Sequence, residues 1–406
     1  MTTQPPSSIV TSRNLEPSDF SLVLGGPLFR LYRRLHLSGP VLEGLGRRVF
    51  VITLVVWLPL LVLSALAGHA FSRGLEMPFL RDIEANARFL VAVPALIIAE
   101  ATVHRRISPL IPRFLERLIV ETEDLPAFRA AVNSALRIRD SNIVEGALLV
   151  LVYTLGLWIW WSQIALGIAT WYAHPDATHL NLSAAGYWYV FVSVPFFQFI
   201  LLRWYMRLMI WFRLLWQISK LNLHLSAAHP DQAGGIGFLG TGSYGFGPML
   251  FAQGTLLAGL IASRVLHDGR ALLSFKTEAA GFVVFFVLVI IGPLVMFTPK
   301  LDDTLRQGSA EYGLLANRYV FGFEKKWIRE GTPEANHLLG TPDLQSLADL
   351  GNSYSAVRKM RIVPFGLQVA TRLAAITAAP LLALAFMVLS PQQAQELLGR
   401  LVKVLF

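Results

Sequence analysis

Two stretches of the chain bring together side chains that could do chemistry. Glu100 and His104 are four residues apart, so on a helix they share one face. A carboxylate beside an imidazole could relay protons or hold a cation; the plainer reading is an interfacial pair whose charges reach back to water. The second stretch is HLSAAHPDQAGGIGFLGTGSYGFG, residues 224–247, where His229-Pro230-Asp231 precedes seven glycines, among them Gly234, Gly235, Gly237 and Gly240. Proline fixes φ, aspartate bonds its own backbone and glycine accepts positive φ, so a sharp turn explains this composition. The sharper reading is an irregular loop entering a membrane, with His229 and Asp231 as a titratable pair beside the free N–H groups of a helix start. Arg372 and Glu145 each lie at the end of an apolar run and could pair across helices.

The elements that must position these groups follow from composition. Of 406 residues, 54% are hydrophobic and 15% charged, against about 25% charged in a soluble domain. Apolar residues gather in long uncharged runs at 49–68, 146–175, 177–202 and 279–299, with further candidates at 245–263 and 373–389. A membrane-crossing helix needs about 20 such residues. The run 89–103 is interrupted by Glu100 but is bracketed by Arg88 and by His104-Arg105-Arg106, like interfacial anchors. Counting it gives seven crossings. With the N-terminus inside, segments 1–49, 104–142, 203–244 and 300–372 hold 27 of the 35 Lys and Arg residues, the asymmetry expected of cytoplasmic loops. The net charge of +9 is explained by those loops without invoking nucleic acid.

The expected fold is therefore all-α: a polytopic transmembrane helical bundle of six to seven spans with a small cytoplasmic helical layer. Its parts are an N-terminal segment 1–48, disordered at its start; a membrane domain 49–299 carrying the cytoplasmic helical insert 104–142; a cytoplasmic segment 300–372; a last span 373–389; and an amphipathic interfacial helix 390–406 opened by Ser390 and Pro391. Residues 300–364 read as several short helices, with starts at Thr332-Pro333-Glu334 and Thr341-Pro342-Asp343 and stops at Gly351 and Pro364. In RWYMRLMIWFRLLWQISK, Arg203, Arg207 and Arg213 among tryptophans fit snorkelling at an aromatic belt.

Other chemistries fit less well. Gly235-Ile236-Gly237-Phe238-Leu239-Gly240 spells GxGxxG, but no βαβ unit surrounds it and no acidic residue follows about twenty positions on. His229-Pro230-Asp231 resembles the tripeptide of J-domain cochaperones over three residues only, and LNLHLSAA before it lacks the lysine run that family carries. There is no cysteine, no two-histidine metal spacing on a helix and no hydrolase triad, so no metal or cofactor is expected. The aromatic third span, with Trp158, Trp160 and Trp161, lacks the paired histidines a membrane cytochrome would need.

Taken together, HPDQAGGIGFLG and TPDLQSLADLGNSYSAVRKMRIVPF resemble a family of uncharacterised bacterial polytopic integral membrane proteins, from about residue 40 onward. The resemblance implies a bacterial inner-membrane location and transfers no activity. The leading expectation is permeation or transport of a small solute or ion, with the 229–247 loop and the Glu100/His104 face on the path. The alternatives are a membrane enzyme acting on lipid or lipid-linked phosphate through Arg105, Arg106, His229 and Asp231, and a non-catalytic sensor or assembly factor. Membrane lipids are the expected partners, and a homo-oligomer is compatible with the sequence.

Overall fold

The structure is a computed structural model that describes residues 20–37, 44–71, 77–164, 170–175, 180–329 and 342–388. A short helix, α1 (Gly26–Arg34), precedes α2 (Leu45–Leu66) and α3 (Ile83–Glu116). Then come α4 (Leu125–Arg139), α5 (Asn142–Ile159) and a hairpin of two short antiparallel strands, β1 (Ala173–Pro175) and β2 (Leu180–Leu182). The chain continues through α6 (Ala184–Ser219), α7 (Phe238–His267), α8 (Leu272–Arg329), α9 (Pro342–Arg358) and α10 (Leu367–Met387). Seven of these, all but α1, α4 and α9, are long and apolar enough to cross a bilayer. The fold is an all-α polytopic bundle, and the run interrupted by Glu100 lies within α3.

Several helices outrun the membrane. At 1.5 Å per residue, the 34 residues of α3 and the 58 of α8 greatly exceed the ~30 Å hydrocarbon core. Their surplus, with α1, α4 and α9, gathers at one end of the bundle. The contacts there include Gly26 with Asp140, Arg361 with Asp231 and Lys300 with the Leu221 carbonyl. Segment 300–364 departs from the expectation of several short helices. It continues α8 without a break to Arg329, and α9 packs back along it. No proline occurs between Thr298-Pro299 and Thr332-Pro333, so nothing in the sequence stops the helix after its last crossing turn. α9 begins at Pro342, as the Thr341-Pro342-Asp343 start expects, while the start at Thr332 and the amphipathic helix at 390–406 lie outside the described residues.

Four of the spanning helices contain a widened, π-type turn, and in α3 and α6 it lies at Ala87–Ala92 and Tyr189–Ser193. Each of these two sits just before a proline, Pro94 and Pro195. A proline ring collides with the carbonyl four residues back and offers no N–H, and a widened turn relieves both problems without ending the helix. Close crossings rely on small residues. A Cβ at Gly254 of α7 would lie 2.0 Å from the Thr377 carbonyl oxygen of α10, so the two backbones touch there. Polar side chains bridge other helix pairs: Trp204 Nε1 donates to Leu96 O at 3.0 Å and Ser193 Oγ to Val56 O at 2.7 Å.

At the opposite end, Phe79, Trp171, Tyr172 and Tyr189 form an aromatic cluster. Trp171 Nε1 donates to the buried Asp82 at 2.9 Å, which anchors the β1–β2 hairpin over that end.

Candidate functional site

The principal polar feature inside the bundle is a cluster of charges from four spans. Arg48 is the fourth residue of α2 and Glu145 the fourth of α5, so both stand one turn inside their helices. Arg203 and Arg207, four apart on α6, share a face and turn it toward Glu100 of α3. All five are buried, with Arg48 at 1%, Arg207 at 2%, Arg203 at 3%, Glu145 at 4% and Glu100 at 7% exposure.

Glu100 is the hub. Its Oε1 accepts from Arg207 Nη2 at 2.9 Å and lies 3.6 Å from Arg203 Nη1, and its Oε2 lies 3.1 Å from Arg48 Nη2. Arg203 Nε donates to Glu145 Oε1 at 2.8 Å, linking the second carboxylate to the first. Arg48 also stacks over the Tyr32 ring and Arg207 over the Trp204 ring, contacts that suit a weakly hydrated, delocalised cation.

The charges do not balance. Three guanidinium groups face two carboxylates. Arg48 is in contact with Glu100, but its Nε and Nη1 donate to no acceptor among the described residues. Buried donors without acceptors are costly. A planar guanidinium with free donors is the side chain best shaped to take an oxyanion.

Residues 20–34 cover this cluster from the polar end. Phe20, Ser21, Leu22 and Val23 are buried, and Phe29 and Tyr32 turn the inner face of α1 onto the bundle. The N-terminus of α1 is tied to acidic residues: Gly26 N donates to Asp140 Oδ1 at 2.9 Å and Leu28 N to Glu145 Oε2 at 2.9 Å. These carboxylates satisfy N–H groups that a helix start leaves without partners and face the positive end of its dipole. Arg203 Nη2 donates to Gly25 O at 3.3 Å, and Arg139 to the Ser21 carbonyl. The cover is thus fastened to the same Glu145 and Arg203 that build the cluster.

Glu100 and His104 share a helix but do not act as a pair. Glu100 turns to the arginines, whereas His104 Nδ1 meets Ser21 Oγ at 3.0 Å and Ser108 Oγ at 2.9 Å. Glu100 is not an interfacial group reaching back to water, and Arg203 and Arg207 do not snorkel. They point inward, and only Arg213 of that trio is exposed. Arg372 is exposed beside the Tyr244 ring, apart from the cluster. Glu145 does pair across helices, with Arg203.

The glycine-rich stretch is a locked turn. Asp231 accepts three backbone bonds, from Ala233 N and Gly235 N on Oδ1 at 2.9 and 3.1 Å and from Gly237 N on Oδ2 at 2.9 Å, and His229 Nδ1 lies 2.8 Å from Oδ1. Burial pushes the Asp231 carboxyl up, but the N–H donors of Ala233, Gly237 and Gly235 outweigh it and hold the group below the usual carboxylate range. Gly234 and Gly235 adopt φ of +65° and +98°, as the turn requires. Gly240 is needed for a different reason: a Cβ there would lie 2.5 Å from Pro364 O. Arg361 closes the turn from outside, donating to Asp231 O through its side chain and to Gln232 O through its backbone N–H.

Comparison of the chain with protein-family models, with curated proteins and with solved structures gives no match. The functional reading rests on the cluster itself.

Proposed function

We propose that the chain is a multi-pass protein of the bacterial inner membrane, with its N-terminus in the cytoplasm, that carries a small anion across the bilayer. Arg48, Arg203 and Arg207 would form the binding site, and residues 20–34 its cytoplasmic cover. The observation that carries this reading is Arg48: a buried guanidinium whose Nε and Nη1 meet no acceptor among the described residues, in a cluster of three arginines and two carboxylates. Charged residues inside membrane helices are costly and are retained chiefly where a substrate or ion is handled. The excess positive charge repels cations, which makes the solute an anion. Glu100 serves as the resident counter-ion, and an arriving anion would compete with its carboxylate for the arginine donors. Withdrawal of the cover would free Arg203 and Glu145 from Gly25 and Leu28 in the same movement.

Orientation follows the Lys/Arg distribution, which puts the cover, α4, α9 and the long end of α8 on the cytoplasmic side. A lipid-phosphate enzyme acting through Asp231 gains no support, because the oxygens of that carboxylate are taken up by backbone N–H groups.

Binding is tested by thermal unfolding of the detergent-purified protein in chloride, nitrate, acetate and phosphate at constant ionic strength. A ligand that binds only the folded state stabilises it by about 2.7 kcal/mol at one hundred times its Kd. The expected result is a saturable rise in Tm with at least one anion, absent in Arg48→Gln. Equal responses in the two proteins would refute the site.

A further inference from the structure

Between α1 and α5 runs an open groove of about 540 Å³, lined by Pro27, Arg30, Leu31, Arg34, Asn142 and Glu145, with Gly146 and Leu149 at its apolar end. Asn142 is the first residue of a span, so the groove opens at the level where headgroups meet the hydrocarbon.

Its walls differ in character. On α1, Arg30 and Arg34 are exposed, and Arg34 makes no ion pair among the described residues. Arg30 donates to Asn142 Oδ1. Leu31, one turn from Arg34, is 47% exposed. The acidic group in the groove, Glu145, is already neutralised by Arg203 and by the Leu28 N–H. Beyond Leu149 the exposed surface of α5 continues through Val150 and Tyr153, within a helix long and apolar enough to cross a bilayer. The groove therefore joins two basic residues at headgroup depth to an apolar track descending into the bilayer.

We propose that this groove binds one anionic phospholipid of the surrounding leaflet. The phosphate would sit between Arg30 and Arg34, and an acyl chain would lie along Leu31 and Leu149. Two features select a lipid over free phosphate: the apolar track supplies burial that inorganic phosphate cannot use, and the basic pair sits at the bilayer surface. Because α1 is part of the cover over the arginine cluster, the lipid would hold that cover against α5. The lipid site does not depend on the anion-carrier reading.

The test is native mass spectrometry of the full chain in detergent, titrated with phosphatidylglycerol or with phosphatidylcholine of the same acyl chains. The wild-type protein should retain phosphatidylglycerol in preference by about tenfold to thirtyfold, the size expected for two basic residues near a membrane surface. Arg30→Gln/Arg34→Gln should bring that preference to within about twofold of none, and Arg34→Gln alone, at a side chain with no ion pair among the described residues, should reduce it partway. Arg264→Gln, at the far end of α7, should leave it unchanged. An unaltered preference in Arg34→Gln and in the double variant overturns the proposal. So does full displacement of the lipid by millimolar inorganic phosphate, which would assign the groove to a free oxyanion.

Discussion

Asp231 shows how one carboxylate can organise a turn. Its oxygens gather the N–H groups of Ala233, Gly235 and Gly237, and these donors hold its pKa down. A group whose folded pKa lies below its unfolded value, ~3.9 for aspartate, binds fewer protons when folded. It therefore contributes stability that is fully present above the unfolded pKa and is lost as pH falls through the folded one. Asp231→Asn should lower stability near neutral pH by about 1–3 kcal/mol, the cost of buried donors left poorly matched. It should also flatten the fall in Tm of the wild-type protein between pH 5 and pH 3. A parallel fall in both proteins would show that the turn does not depend on the charge. The tripeptide and its glycines were legible in the sequence as a turn. The arginine partners of Glu100 were not, because arginine beside tryptophan at the end of an apolar run has the composition of a membrane-interface anchor. The available signal was spacing: Arg203 and Arg207 are four apart, able to present one doubly charged face to a carboxylate at similar depth.

At the scale of elements, apolar runs locate the spans because a bilayer demands about 20 residues of hydrocarbon-compatible side chain whatever the packing. Packing itself is not written in hydropathy. Gly254 looks like any small residue in an apolar helix, yet in the bundle it is where α7 meets the backbone of α10. Gly254→Val should separate these helices and lower Tm by several degrees. Gly281→Ala, on α8 with nothing within 4 Å of its added Cβ, should hold stability or raise it by about 0.5–1 kcal/mol through helix propensity. Thermal unfolding of the two variants beside the wild type decides the matter, and equal Tm values would contradict the close crossing. The length of α8 beyond the membrane was likewise hidden. Polar residues past a span show that the chain has left the bilayer but not that the helix runs on, and Gly308 sits within it where Ala227 packs close.

For the whole molecule, the arrangement is a seven-span bundle with its polar helices at one end, a buried arginine cluster just inside that end, and α1 bound across it through Glu145 and Arg203. The bundle and the charge asymmetry were readable from sequence, since both follow from amounts and positions of residue types. The convergence of Arg48, Arg203, Arg207, Glu100 and Glu145 was not, because it joins residues from four helices separated by up to 159 positions along the chain (48 to 207). Passage of anions through this cluster is tested most directly by flux across proteoliposomes. The wild-type protein should carry a small anion inward well above the rate of protein-free vesicles. Arg48→Gln, reconstituted to the same density, should lose at least about tenfold of that flux, the equivalent of ~1.4 kcal/mol at the site. Wild-type flux no higher than that of empty vesicles, or undiminished flux in Arg48→Gln, would contradict it.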